Sequence, residues 1–187
     1  MNNRRSFITG IKSTKLSTLE KKFLKKYKPW GVILFSRNIN NIKQTLKLTT
    51  SIRKIFNDKK YPILIDQEGG RVNRLKNIIS FDSLTSEFFG KKFLENHKEF
   101  IFFYKLFIDK TSYLLKSIGV NINTSPVLDL KIKGKSNVIG DRAFSGDPKI
   151  VSKIGDLCIQ YFHQNGIGTV IKHIPGHGLA KVDSHNF

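Results

Sequence analysis

Apolar residues fall into two alternating kinds of run along this chain. Short unbroken blocks at 31–35 (Gly-Val-Ile-Leu-Phe), 62–65 (Pro-Ile-Leu-Ile) and 168–171 (Gly-Thr-Val-Ile) have the character of strands buried on both faces, as in a parallel sheet. Between them the apolar positions recur three and four apart, the spacing of amphipathic helices. Residues 6–11 can form a further short strand. Ser17-Thr18-Leu19-Glu20 reads as a capping box that opens a helix with Leu16, Leu19, Phe23, Leu24 and Tyr27 along one side, and Pro29 stops it. A helix over about 41–56 turns Ile42, Leu46, Ile52, Ile55 and Phe56 inward, whereas 72–97 reads as irregular. Phe100, Tyr104, Phe107, Thr111, Leu114, Leu115 and Ile118 define a long helix over about 98–118, closed by Gly119. Val127-Leu128-Asp129 reads as a strand behind Pro126. Asp147-Pro148 then supplies an N-cap and a preferred first residue for a helix burying Ile150, Val151, Ile154, Leu157, Cys158, Tyr161 and Phe162.

Strands alternating with helices predict a parallel α/β fold of about five strands. Polar clusters follow the strand ends: Ser36-Arg37-Asn38, Asp66-Gln67-Glu68, Asp129 and Lys172-His173. TIM barrels and doubly wound sheets both assemble sites there. Neither GxGxxG nor GxxxxGK[ST] occurs, which disfavours a nucleotide-binding sheet. A full barrel needs eight strands and typically about 250 residues, so five βα units make some five-eighths of one.

At 187 residues and 39% hydrophobic content the chain can bury the core of one domain. Its longest apolar run, the five residues 100–104, falls far short of the roughly 20 residues of a membrane helix. Arg4-Arg5 is not followed by the apolar segment of an export signal, so a cytoplasmic location without a membrane partner is expected. Cys158 stands alone and cannot close an internal disulfide. The net charge of +19 raises the question of nucleic acid. Residues 1–60 hold 16 of the 33 Lys and Arg against Glu20 and Asp58 alone, but Lys21, Lys22, Lys25, Lys26, Lys43, Lys47, Arg53 and Lys54 fall between apolar helix positions. These read as solvated faces. With no base-stacking motif beside them, no nucleic-acid partner is expected.

Two stretches carry candidate chemistry. In Asp66-Gln67-Glu68-Gly69-Gly70-Arg71-Val72-Asn73-Arg74, carboxylates and guanidinium groups flank two glycines, a set suited to sugar hydroxyls, although Asp66 and Arg74 could equally pair to brace a loop. In Asp183-Ser184-His185 a curled loop would let Asp183 accept the ring N–H of His185, making the imidazole a candidate acid/base. A metal at His173, His177 and His185 is not expected: Pro175-Gly176 rules out the helical HExxH geometry, and no second carboxylate stands beside them. Ser184 lacks the GxSxG turn of a serine nucleophile.

Five blocks, in this order, resemble glycoside hydrolase family 3 and within it the bacterial β-N-acetylhexosaminidases: the block at 31–38, Asp66-Gln67-Glu68-Gly69-Gly70-Arg71-Val72, Ser125-Pro126-Val127-Leu128-Asp129, Ile139-Gly140-Asp141-Arg142, and Lys172-His173-Ile174-Pro175-Gly176-His177-Gly178 through His185. The resemblance implies a TIM (β/α)8 barrel, incomplete, with residues 1–187 forming its N-terminal part, truncated on the C-terminal side. It implies that Asp66, Arg74, Arg142, Lys172 and His173 hold a nonreducing terminal N-acetylglucosamine, with His185 as acid/base and Asp183 tuning it. The implied partner is a small muropeptide-derived or other amino-sugar glycoside, with no cofactor. The family's nucleophilic aspartate lies after a later strand, and no residue of 1–187 takes that role. The chain alone is therefore expected to show no appreciable glycosidase activity, and a sugar-binding remnant is the alternative reading.

Overall fold

A computed structural model describes residues 4–132 and 138–179. Helices and strands alternate: β1 Arg5–Gly10, α1 Thr18–Tyr27, β2 Pro29–Leu34, α2 Ile42–Phe56, β3 Ile63–Ile65, α3 Ser86–Glu95, α4 His97–Ser117, β4 Ile122–Asn123, α5 Pro148–Gln164 and β5 Gly168–Thr169. Short 3-10 turns occupy Ser36–Asn38 and Gly140–Arg142.

The local chemistry sets the boundaries. Ser17 and Glu20 close the expected capping box on α1, and Asn41, Thr85, Asn96 and Asp147 cap the later helices through side-chain oxygens. All strand pairs are parallel, and the order in the sheet is β1-β2-β3-β4-β5. A doubly wound sheet would reverse direction after its first strands; here each strand joins the outer side of the one before. This sequential winding is that of an incomplete (β/α)8 barrel. The continuous apolar runs are buried as expected: Val32, Leu34, Ile63, Leu64 and Ile65 are at most 1% exposed. Helix α4 packs against α2, α3 and α5, and its Phe100, Tyr104, Phe107, Ile108 and Leu115 join the core. Cys158 is buried there too. No helix among the described residues is long and apolar enough to cross a membrane.

Five expectations change. Residues 72–97 are not wholly irregular: α3 forms within them, and Gly90 lets it press so close to the 3-10 turn segment that a Cβ would stand 1.7 Å from the Phe144 carbonyl oxygen. The fourth strand is Ile122–Asn123 rather than 127–129; Val127 makes an isolated bridge to Lys172. Buried Asn123 trades hydrogen bonds with the Gln67 backbone at 3.0 and 2.8 Å, so a polar side chain extends the sheet where apolarity would have been sought. The inward face of α2 is Thr45, Leu48, Thr49 and Ile52, with Ile42 and Leu46 turned outward, because Thr49 Oγ1 donates to the Ile118 carbonyl at 2.9 Å. In α1, Leu24 is buried while Leu19 and Phe23 are exposed. The last strand is also shorter than its apolar run, and Val170 and Ile171 are exposed.

Candidate active site

Parallel strands bring their C-terminal ends to one rim. In register, Leu34 lies beside Ile65, Ile65 beside Asn123 and Asn123 beside Thr169, so Phe35, Asp66 and Thr124 emerge side by side. Lys172 follows β5 and is held at this rim by backbone hydrogen bonds: it donates to Pro126 O at 3.1 Å and accepts from Leu128 N at 2.6 Å.

The Lys172 ammonium is the hub. It donates to Asp66 Oδ1 at 3.0 Å and Thr124 Oγ1 at 3.2 Å and pairs with Glu68 Oε1 at 2.6 Å, which uses all its N–H donors. Thr124 also donates to Asp66 Oδ1. Glu68, whose side chain is 3% exposed, receives a two-pronged clasp from Arg142: Nε to Oε2 at 2.8 Å and Nη2 to Oε1 at 2.9 Å. Arg142 Nη1 donates to Val138 O at 3.2 Å, leaving one N–H on each terminal nitrogen for a ligand. Arg71 runs alongside, its Nε donating to Asp141 Oδ1 at 2.8 Å, so two ion pairs tie the loop after β3 to the 3-10 turn.

Electrostatics keep these carboxylates charged. Burial would raise the Asp66 carboxyl, but Lys172, the Thr124 hydrogen bond and Arg74 outweigh it and hold it below the ordinary value. Glu68 is lowered against a similar burial penalty by Arg142 and Lys172. Burial would lower the Arg142 guanidinium, but Glu68 outweighs it and the net shift is upward.

Asp66 Oδ2 remains open. It faces Arg74 Nη2 across 3.7 Å, too far for a hydrogen bond, and Arg74 Nε is buried with no partner among the described residues. A hydroxyl placed between Asp66 Oδ2 and Arg74 Nη2 donates to the first and accepts from the second, so this gap suits a ligand group that does both.

His173 follows Lys172 directly and is held by Asp129. Its Nδ1 lies 2.5 Å from Asp129 Oδ2, which fixes the ring and leaves Nε2 available. Asp129 also accepts from the backbone N–H groups of His173, His177 and Gly178, pinning the 173–178 loop. The backbone N–H of His177 is one of these anchors, and its ring Nδ1 is buried without a described partner.

The rim therefore brings Asp66, Arg74, Arg142, Lys172 and His173 into one region, although Lys172 spends all three donors on Asp66, Glu68 and Thr124, and Arg142 spends two of its five on Glu68. Asp183 and His185 lie outside the described residues. Sequence reasoning assigned no role to Glu68, Thr124 or the anchoring function of Asp129. A usable signal existed for Glu68: in extended chain Asp66 and Glu68 share a face, so a cation reaching one reaches both. Among the described residues, no group of three or more His, Cys, Asp and Glu side chains could hold a metal ion.

Comparison with known proteins points the same way. The family profile of the glycosyl hydrolase family 3 N terminal domain matches residues 7–186. A beta-hexosaminidase of Hydrogenovibrio crunogenus is 40% identical over 178 residues, covering 95% of this chain and 49% of its own length. The native crystal structure of NagZ from Neisseria gonorrhoeae superimposes with a TM-score of 0.86 at 28% identity, covering 98% of this chain and 53% of that one. The same protein in complex with N-trifluoroacetyl-D-glucosamine gives 0.80 at 27% identity, over 98% and 54%. The chain thus spans about half the length of the curated relatives it matches.

Proposed function

This chain belongs to glycosyl hydrolase family 3, and from that premise we propose that it supplies the sugar-holding part of a retaining β-N-acetylhexosaminidase site. The substrate is a glycoside with a nonreducing terminal β-N-acetylglucosamine, of the kind released from peptidoglycan during its recycling. One observation carries this reading: the 3.7 Å gap between Asp66 Oδ2 and Arg74 Nη2, which no direct hydrogen bond closes. A sugar hydroxyl donates to the carboxylate and accepts from the guanidinium in a single placement. The amino-sugar derivative bound to the Neisseria gonorrhoeae protein, on a chain of the same fold, supports the class of ligand.

In this reading Asp66 and Arg74 take one hydroxyl, while Lys172 keeps Asp66 ionised. The remaining N–H groups of Arg142 and Nε2 of His173 meet the other polar atoms of the sugar. His185 protonates the departing glycosidic oxygen, with Asp183 steadying the imidazolium. A carboxylate attacks the anomeric carbon, and water then releases the sugar as His185 takes the proton back. That carboxylate is assigned to no residue of 1–187. A neutral imidazole repels an anionic acceptor less than a carboxylate would, so transfer to phosphate is a minor competing outcome.

Titration calorimetry with N-acetylglucosamine tests the pocket. Asp66→Ala and Arg74→Ala each lose at least one ligand hydrogen bond to a charged group and should weaken binding by about ten-fold or more. Unchanged affinity in both variants, with native circular dichroism, rules the pocket out. Release of 4-nitrophenol from its N-acetyl-β-D-glucosaminide by the 187-residue chain alone would show that the nucleophile lies within it after all.

A further inference from the structure

The basic residues of the first third lie on exposed helix faces, as the sequence suggested, and the sugar site leaves them unused. Four of them, Lys15, Lys21, Lys43 and Lys47, are among the residues that line a half-open pocket of about 520 Å³ between the β1–α1 loop, α1 and α2. No residue of the Asp66–Lys172 cluster lines it. We propose that this cavity binds a small, multiply charged anion, best matched by a compound bearing two or more phosphoryl groups.

Three features argue for a site rather than a chance crowding of lysines. The first is charge without compensation: no carboxylate lines the cavity, and none of the four ammonium groups has an ion-pair partner among the described residues. Glu20, the acid nearest in sequence, does not line it and is engaged by other donors: its carboxylate accepts from Lys12 N, Ser17 N and Ser17 Oγ, each at 2.8 Å. Like charges gathered around one space repel, and an anion placed among them relieves that repulsion.

The second feature is a fixed wall. Gln44 Nε2 donates to Thr14 O at 2.9 Å and Asn38 O at 3.1 Å, which ties the loop carrying Lys15 to the start of α2. Lys43 and Lys47 are one turn apart on that helix, so both reach the same space. The third is size. The volume falls in the range of small-molecule sites, roughly 300–1,000 Å³. Lysines around one hollow suit a compact ligand, whereas a nucleic acid calls for a basic track along the surface. Phosphoryl groups fit best because each offers several acceptor oxygens to several ammonium donors.

Titration of the 187-residue chain with inorganic pyrophosphate, followed by calorimetry, tests this. One pyrophosphate should bind per chain, with affinity falling as salt rises. Lys43→Gln/Lys47→Gln should weaken it by about ten-fold or more, as expected for the loss of two charge-assisted contacts. Lys149→Gln/Lys153→Gln on the exposed face of α5 should not. All four side chains are exposed, so both variants should keep the wild-type melting temperature. Absence of binding by wild type, several equivalent sites per chain, or equal loss in both double variants overturns the proposal. Tighter binding of a single-stranded oligonucleotide, or of phosphatidylglycerol vesicles, than of pyrophosphate overturns the small-ligand assignment. Asp66→Ala should leave pyrophosphate binding intact, which separates this site from the sugar pocket.

Discussion

Asp129 receives four hydrogen bonds from one loop: His173 Nδ1 and backbone N–H on Oδ2, and the backbone N–H groups of His177 and Gly178 on Oδ1. Its side chain is fully buried. Asp129→Asn leaves volume unchanged but puts an NH2 where an oxygen stood. Whichever way the amide is turned, its NH2 faces at least one backbone N–H, of His173 or of His177 and Gly178. Unmet donors of this kind cost about 1–3 kcal/mol, which urea unfolding should register, and protease cleavage within 173–178 should accelerate. Wild-type stability with unchanged cleavage would show that the loop does not depend on this carboxylate. From the sequence, Asp129 could be read as the polar end of a strand but not as an anchor, because its partners lie 44 to 49 positions later. Asp66, Lys172 and Arg142 were legible as candidates because their residue types stand at strand ends or in a motif. How far Glu68 consumes the last two is a matter of distances that no spacing along the chain reveals.

Elements were legible where burial follows a simple period. The buried strands β2 and β3, and helices α4 and α5, have long or unbroken apolar patterns and formed near the expected places. Helix α3 escaped because Phe88, Phe89, Phe93 and Leu94 do not keep to one stripe, and its position is set by Gly90 against the Phe144 backbone. That contact makes a prediction for the element. In Gly90→Ala the new methyl would overlap the Phe144 carbonyl oxygen, and neither backbone can rotate away as a side chain would. Helix propensity favours alanine by about 1 kcal/mol, so a purely local helix would gain stability. Overpacking against fixed backbone should dominate and cost about 3 kcal/mol by chemical denaturation. A stabilised variant would mean that α3 can slide off the 3-10 turn. β4 is hidden for the converse reason: Asn123 is polar in sequence yet buried in the sheet, while the more apolar 127–128 lies beyond it and makes only an isolated bridge to Lys172.

Across the whole molecule, the site's ion pairs join segments far apart in sequence: Lys172 to Asp66 across 106 positions, and Arg142 to Glu68 across 74. The same contacts that prepare the rim therefore also close the chain upon itself. Asp66, Glu68 and Asp129 all have folded values below the ordinary carboxylate range, in each case because nearby donors and cations outweigh burial. The unfolded chain then binds protons more readily than the folded one. Their contribution to stability is fully present above the unfolded value of about 4 and is lost as pH falls through the lower folded values. Melting temperature should stay level between about pH 7 and 5 and drop steeply below about pH 4. General repulsion in so basic a chain would also grow in acid, which a variant can separate. Lys172→Met removes the cation shared by Asp66 and Glu68, so their folded values rise toward or above the unfolded ones. The variant should melt lower than wild type near neutrality, and the gap should narrow in acid, where the carboxylates are protonated and the lysine has nothing left to hold. Parallel melting curves for the two proteins across the whole range would mean that the acid response comes from global charge and that the rim network does not couple folding to the site.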